Sequence, residues 1–285
     1  KDDSGKITGL IPKELSYAKV FFTEGSDVTK LLGIKQYERT MDIEPKQKEA
    51  KNTKHYPEFL MRMKWFRKLV LPKKEYRGFP TFISKTDETR IQNAPHMLMD
   101  KREYVATEKI DGQSGTFCLV KKNKLLPFTK DRYEYMVCSR NNRLFQKDSS
   151  SFWSVSDRYD IRKQLEKMIG NNKWIAIQGE CIASNVQGNK YKVNKPDLYV
   201  FNVIFPSGRI GSVAAADLCH QYGFKFVPII DAHYTLPDTV NEVLDYAHGT
   251  SQLYDTLREG IVFRSQDGSR SFKAVDPLFL IKHDE

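Results

Sequence analysis

From Tyr76 onward the chain breaks into short runs where apolar and β-branched residues alternate with polar ones. "EYVATEKI", "GTFCLVKK", "YMVCSR", "WIAIQGECIA", "DLYVFNVIF", "GIVFRS" and "SFKAV" all have the composition of strands. Between them, residues 156–169 carry Ile161, Leu165 and Met168 at helical spacing. Residues 214–222 and 236–247 read as two further helices, the second with Thr239 as a cap. Strands outnumber helices and do not alternate strictly with them, and no segment repeats. The pattern predicts an α+β fold with antiparallel sheets rather than a doubly wound parallel sheet.

The texture upstream differs. "ITGLIPKELSYAKVFF" reads as the last strand of a preceding domain, and "SDVTKLLGIKQYE" as a short helix opened by an N-cap-like Ser-Asp. "RTMDIEPKQKEAKNTK" is charged and nearly free of apolar residues, which suits a surface linker. In "YPEFLMRMKWFRKLV" the spacing of Phe59, Leu60, Met63, Phe66 and Leu69 is a helical stripe suited to core packing. The expected organisation is therefore a domain tail over 1–25, a helical and linker lead-in over 26–75, and a main domain over 76–285. The chain does not open with methionine and reads as starting part-way into a longer protein.

Composition narrows the class. With 40% hydrophobic residues, 17 Phe and 14 Tyr, the 285-residue chain can fill a sizeable core. Its 46 Lys and Arg against 36 Asp and Glu leave a net charge of +10, a surface that favours polyanions. Cys118, Cys138, Cys181 and Cys219 are too far apart in sequence for a zinc knuckle or a redox pair. They read as buried free thiols of a reducing intracellular compartment, with cytosol, nucleus and organelle all open. No apolar run approaches the length of a membrane span.

One lysine stands out. In "EYVATEKIDGQSGTFCLV", Lys109 lies between two strand-like runs and is followed by Asp111 and Gly112. K-x-D-G alone decides nothing, because three fixed residues recur by chance in roughly one chain of this length in fifteen. An exposed hairpin lysine is the ordinary reading. The chemical alternative is a partly desolvated lysine beside other cations, presenting a neutral amine as a nucleophile. Such an amine could attack an α-phosphorus, given basic residues, a divalent cation, carboxylates and an aromatic face for a base. The chain supplies these in order: Arg140 in "VCSRNN", Glu180 in "IQGECI", Phe201 in "DLYVFNVIF", Glu259 in "REGIVFR", then Lys273 and Lys282 in "RSFKAVDPLFLIKHD". Glu180 follows Gly179, where close approach of a ligand to the backbone is expected. Singly, each residue has an ordinary structural reading; their joint order after K-x-D-G shifts the balance.

That order resembles the covalent nucleotidyltransferase superfamily of DNA ligases, RNA ligases and mRNA capping enzymes. "EKIDG" is similar to its motif I, "SRNN" to Ia, "IQGE" to III, "LYVFNV" to IIIa, "EGIVFR" to IV, and "SFKAV" with "LIK" to V. Within it, "QGECIASNVQGNKYKVNKPDLYVFNVIF" most resembles the ATP-dependent RNA ligases. "SDVTKLLGIKQYE" and "KTDETRIQN" are similar to segments of the RNA ligase 5 branch, in which an OB domain precedes the nucleotidyltransferase domain. The resemblance implies an ATP-grasp-like nucleotidyltransferase domain over 76–285, with two packed antiparallel sheets, flanking helices and the nucleotide between them. It implies ATP with Mg²⁺ or Mn²⁺, a covalent lysyl-AMP on Lys109, and a monomer acting on RNA or an RNA-containing nicked duplex, with no membrane partner.

The same resemblance gives the residues their roles. Glu108 and Ile110 flank the lysine at the nucleotide, and Asp111 and Gly112 shape the loop that presents it. Arg140 would contact the sugar or a nick phosphate, Glu180 the ribose or the metal's shell, and Glu259 the metal's water shell. Phe201 would stack on adenine, Lys273 would contact the α-phosphate, and Arg90 is a candidate for the ATP phosphates. One departure is plain: many relatives carry a second lysine two residues after the first in motif V, and here that residue is Val275. Lys282 is the candidate replacement. The alternatives are a DNA ligase, a capping enzyme using GTP, and, more remotely, a binding module without catalysis.

Overall fold

The computed structural model describes residues 78–122, 131–146 and 150–283, together with Met63. The strand, helix and linker expected upstream lie outside the described residues. So does the apolar stripe over 56–70, apart from Met63, which is exposed. The chain separates into two units after Pro72, and the described strands and helices belong to the second, Lys73–Glu285.

In chain order the strands are β1 (Glu103–Lys109), β2 (Gln113–Lys122), β3 (Arg132–Cys138), β4 (Arg143–Leu144), β5 (Trp174–Ile182), β6 (Asp197–Phe205), β7 (Gly208–Arg209), β8 (Lys225–Phe226), β9 (Ile229–Thr235), β10 (Gly260–Ser265) and β11 (Ser271–Val275). The helices are α1 (Ser151–Arg158), α2 (Ile161–Met168), α3 (Ser212–Gln221), α4 (Val240–Ala247) and α5 (Pro277–His283). One sheet has the order β11-β10-β1-β9. The other runs β4-β3-β2-β5-β6-β7, with β8 beside β6. The β6–β8 pairing is parallel and the remaining pairings are antiparallel. This is the two-sheet α+β architecture that the strand pattern and the resemblance predict.

Side chains alternate between the faces of a strand, and here the alternation separates core from chemistry. On β1, β10 and β11, Tyr104, Ala106, Ile261, Phe263, Phe272 and Ala274 pack with Val243 and Ala247 of α4. The other face carries Thr107, Lys109, Val262, Arg264 and Lys273. In the larger sheet, Phe117, Leu119, Ile175, Ile177 and Val203 pack with Phe152 of α1, Leu165 of α2 and Ala215 of α3. Burial of each Val, Leu, Ile or Phe side chain contributes about 1.5–3 kcal/mol. The opposite face has its own smaller cluster, in which Cys118, Met136, Ala176 and Ile204 meet Phe79 and Ile83.

The local expectations fare unevenly. α4 is capped by Thr239, whose Oγ1 accepts from the Glu242 N–H at 3.3 Å while the Glu242 carboxylate accepts from the Thr239 N–H at 3.0 Å. The helix expected over 156–169 is instead two helices, divided where Asp160 takes the left-handed conformation (φ 47°). There the Tyr159 hydroxyl donates to Asp197, and the chain turns to bury Ile161 and Leu165. β9 and α5 were not among the expected elements. β9 pairs with β1 alone and is half-exposed along most of its length, so "IIDAHYT" shows no buried-strand pattern. All four cysteines are buried and unpaired. Among the described residues no helix is long and apolar enough to cross a membrane.

Candidate active site

Lys109 is the last residue of β1 and lies opposite Gly260 of β10. Its Nζ donates to Glu259 Oε2 at 2.5 Å, and the two side chains are only 23% and 11% exposed. The lysine is therefore not a solvated surface group. Its nearest partner is an anion, whereas the sequence reading placed cations around it. The cation close by is Lys273, which faces Val262 across the β10–β11 pair. Burial first, and the charge of Lys109 second, lower the pKa of Lys273.

The other wall belongs to the larger sheet. Glu180 lines the cleft near the end of β5, and loss of solvation lifts its pKa to about 8. Lys109 works against that rise and the negative charge of Glu259 adds to it. Although the residue keeps partial exposure, neither of its carboxyl oxygens has a hydrogen-bond partner among the described residues. Phe201 is placed by a β-bulge. The β5–β6 register jumps from the Gln178–Asn202 pair to the Gly179–Val200 pair, leaving Phe201 as the extra residue, on the cleft wall. Gly179 serves this bulge and not a ligand: a Cβ there would lie 2.7 Å from Leu198 Cδ1 and 2.8 Å from the Tyr199 carbonyl oxygen.

The loop after Lys109 is held tightly. The Asp111 carboxylate accepts from Lys190 Nζ at 2.6 Å, and its N–H donates to the Tyr191 hydroxyl at 2.6 Å. Gly112 is required by close packing, since a Cβ would lie 2.7 Å from the Cys181 carbonyl oxygen and 3.0 Å from Glu180 Cγ. Ile110 is part of the core. Glu108 lines the cleft, but its carboxylate is taken by Ser251 Oγ at 2.5 Å and the Gln252 N–H at 2.8 Å, tying β1 to the loop before β10. Arg140, just past β3, pairs with Asp87 at 3.5 Å, both side chains largely exposed.

Of the residues nominated from sequence, Glu108, Lys109, Ile110, Asp111, Gly112, Arg140, Glu180, Phe201, Glu259 and Lys273 line one cleft of about 190 Å³ between the sheets. Arg90 and Lys282 do not line it. Arg90 is exposed, yet its backbone bridges to Lys273 and its charge helps to lower the Lys273 pKa; Lys282 is exposed on α5. The sequence reading missed Asp87, Glu88, Thr107, Val262 and Arg264, all on the lining. Alternation from Lys109 leads to Thr107, and alternation along β10 leads from Val262 to Arg264, so three of these were findable. Arg264 is almost fully buried, its pKa pulled down to about 10 by loss of solvation. It donates to Thr107 Oγ1 and to Glu88 Oε1, each at 3.3 Å, and its guanidinium sits 5.6 Å from the centre of the Phe201 ring.

Chemically, the cleft offers an amine at one end, flanked by one carboxylate and one ammonium, and an aromatic ring with a buried guanidinium further in. No three His, Cys, Asp or Glu side chains converge as a metal cage among the described residues. Mg²⁺ and similar ions need none, since they keep several waters and bind through one or two carboxylates plus substrate phosphates. Glu259 and Glu180 fit that donor set.

The RNA ligase family model matches residues 102–275, more than half of the chain. Solved structures of a Naegleria gruberi RNA ligase are similar. A variant with ATP and Mn is 27% identical over 96% of this chain and 71% of its own, with a TM-score of 0.65. The form with PPi is 28% identical over 95% and 70%, also at 0.65. A variant with AMP and Mn is 30% identical over 73% and 60%, at 0.64. Measured against that last structure and against an apo variant, the chain spans 60% of the length of the solved chain. No curated protein matches the chain. On the family match and the shared cleft-bearing fold, this chain belongs to the RNA ligase family.

Proposed function

We propose that the chain is an ATP-dependent RNA ligase that works as a monomer through a lysyl-AMP intermediate. The observation that carries the reading is the convergence of Lys109, Glu259, Lys273, Glu180 and Phe201 on one cleft between the two sheets. The neighbouring RNA ligase structures hold ATP, AMP, PPi and Mn, the reactant, products and cation such a reaction uses.

In the first step the Lys109 nitrogen attacks the α-phosphorus of ATP. A P–N bond forms and the bond to pyrophosphate breaks. The amine must shed a proton to become a nucleophile, and Glu259 Oε2, already accepting its hydrogen bond, is the nearest acceptor. Lys273 stands close enough to stabilise charge on the α-phosphate and the departing pyrophosphate. The adenine would lie against Phe201, with Arg264 at the same end of the cleft. The Glu180 carboxyl, whose pKa loss of solvation raises in the free chain, suits hydrogen bonding to the ribose hydroxyls. Glu259, with Glu180, would hold a Mg²⁺ or Mn²⁺ ion, which supplies charge neutralisation at the phosphates.

In the second step an oxygen of the RNA 5′-phosphate attacks the same phosphorus and Lys109 leaves, regaining its proton. In the third, a 3′-hydroxyl attacks the activated 5′-phosphate, a phosphodiester forms and AMP departs. Arg140, exposed at the cleft mouth, suits a nick phosphate. The net charge of +10 favours the polyanionic strand and makes binding weaken steeply with salt.

The test is incubation with ATP or GTP labelled at the α-phosphate, with Mg²⁺ or Mn²⁺, followed by a denaturing gel. Label from ATP, absent in Lys109→Ala, is the expected result. Label from GTP alone would identify a capping activity, and no label from either would leave a binding module. Sealing of nicked duplexes with ribose or deoxyribose at the 3′-hydroxyl end then separates RNA from DNA ligation.

A further inference from the structure

The inter-sheet space does not end at Glu88. Beyond it lies a second cavity of about 390 Å³, larger than the first and sharing Asp87 and Glu88 with it. Glu88 is a fixed partition, accepting from Arg264 on one side, from Arg209 Nη1 at 3.4 Å on the other, and from Ser271 Oγ at 2.5 Å. Three features of this cavity lie outside the adenylylation chemistry. Phe82 leans on Trp174 with ring centres 5.1 Å apart, yet remains 46% exposed, an aromatic face left in water. Gln178 donates to the Ser84 carbonyl oxygen and accepts from Asn202 Nδ2, each at 2.8 Å, so both amides are held in fixed orientation. The chain of bonds ends at Asn202, a residue of the cavity wall whose Oδ1 is buried and has no partner among the described residues.

Charge decides what could sit there. Lys85 and Arg209 are offset by Asp87 and Glu88, and the Arg209 guanidinium is already engaged by the Gly268 carbonyl oxygen at 2.6 Å as well as by Glu88. Lys85 is exposed and bonds only through its Asn141 contact at 3.0 Å among the described residues, which leaves its ammonium further donors. One available ammonium can meet a single phosphodiester, and a free nucleoside triphosphate would be left uncompensated. The composition is that of a single-strand platform, an aromatic face for a base with one cation for the backbone.

We propose that this cavity is a second nucleotide pocket that receives one unpaired nucleotide of the RNA strand. Its base lies against Phe82 and its backbone phosphate lies near Lys85, with the Gln178 and Asn202 amides fixed in the wall behind the base. The proposal rests on the RNA ligase reading of the first cleft and gives the strand a route past Glu88 alongside it.

The experiment uses the full chain, a fluorescent single-stranded RNA and anisotropy, with Phe82→Ala and Lys85→Ala as variants. Both residues are exposed, so both variants should fold as the parent does. Phe82→Ala is expected to weaken RNA binding about tenfold, and Lys85→Ala to weaken it about threefold and flatten its salt dependence. Labelling of Lys109 from ATP is expected to stay unchanged in both. A 5-iodouridine in the RNA should crosslink to a peptide containing Phe82 or Trp174. Unchanged RNA affinity in Phe82→Ala, crosslinks confined to other peptides, or a loss of ATP binding in place of RNA binding would each overturn the pocket. A parent chain that never labels with ATP but loses RNA through Phe82→Ala would sink the ligase reading and leave the pocket standing.

Discussion

Glu180 and Glu259 look alike in the sequence: each is a carboxylate beside a glycine at the end of a strand, on opposite sides of one cleft. The fold gives them different chemistry. Glu259 sits at the entry to β10, locked to Lys109 at 2.5 Å. Glu180 faces the same space from β5 without a hydrogen-bond partner among the described residues, and it responds to burial by holding its proton to about pH 8. A carboxylate that already neutralises a cation can stay charged in a poorly solvated cleft, while one without a partner cannot. Two acids placed in such different surroundings mark where proton and cation chemistry can be divided. Glu259 is the group tied to the nucleophile, and Glu180 is held in reserve until a nucleotide or cation brings it a partner.

The largest test of that contrast is Glu259→Ala. It removes the partner of Lys109 and a carboxylate for the cation, so the rate of Lys109 labelling from ATP is expected to fall by two orders of magnitude or more. Glu180→Ala, measured beside it, is expected to cost that step less. If Glu180→Ala slows labelling more than Glu259→Ala does, the division of roles drawn here is wrong.

A smaller effect concerns stability. A carboxyl raised from its ordinary value to about 8 binds more protons folded than unfolded. Stability is therefore greatest at pH below the unfolded value near 4.5 and is lost as pH rises toward 8, by an amount on the order of a few kcal/mol. Glu180→Gln removes this loss. In chelator and without nucleotide, its melting temperature should exceed the parent's by several degrees at pH 8.5, and the gap should close at pH 5. A gap that does not change with pH would mean that Glu180 is charged throughout.

How much of this could be read from the chain depends on whether the cause was local. The strands that carry Lys109, Glu180, Phe201 and Glu259 announce themselves by alternation, and the residues stand at strand ends where alternation meets a glycine or a turn. Thr107 and Arg264 are legible by the same period of two, though a threonine and an arginine in strands do not by themselves point to a nucleotide. Glu88 was not legible. It lies in "KTDETRIQN", where Arg90 was the nominated residue, and only the tertiary path puts Glu88 between two arginines while leaving Arg90 outside. The bulge at Phe201 and the break at Asp160 are likewise set by partners far away in sequence, Leu198 to Val200 packing on Gly179 in one case and Asp197 holding Tyr159 in the other. The pairing of Lys109 with an anion belongs to this class too, since 150 residues separate it from Glu259.

The smallest expected effect comes from an exposed cation–carboxylate contact at the cleft mouth, Arg140 with Asp87 at 3.5 Å. In type it matches Lys109–Glu259, but its side chains are 57% and 60% exposed against 23% and 11%. Water and salt screen an exposed pair, so its two charges act almost independently. Asp87→Ala should leave the denaturation midpoint where it was and change labelling of Lys109 by less than about threefold, with no loss of nucleotide specificity. It also releases Arg140 toward phosphate, so affinity for a 5′-phosphorylated nicked duplex is expected to hold or rise slightly, and to do so only at low salt. A tenfold loss of labelling in Asp87→Ala would show that exposure does not separate the two pairs, and that the carboxylate at the mouth of the cleft takes part in the first step.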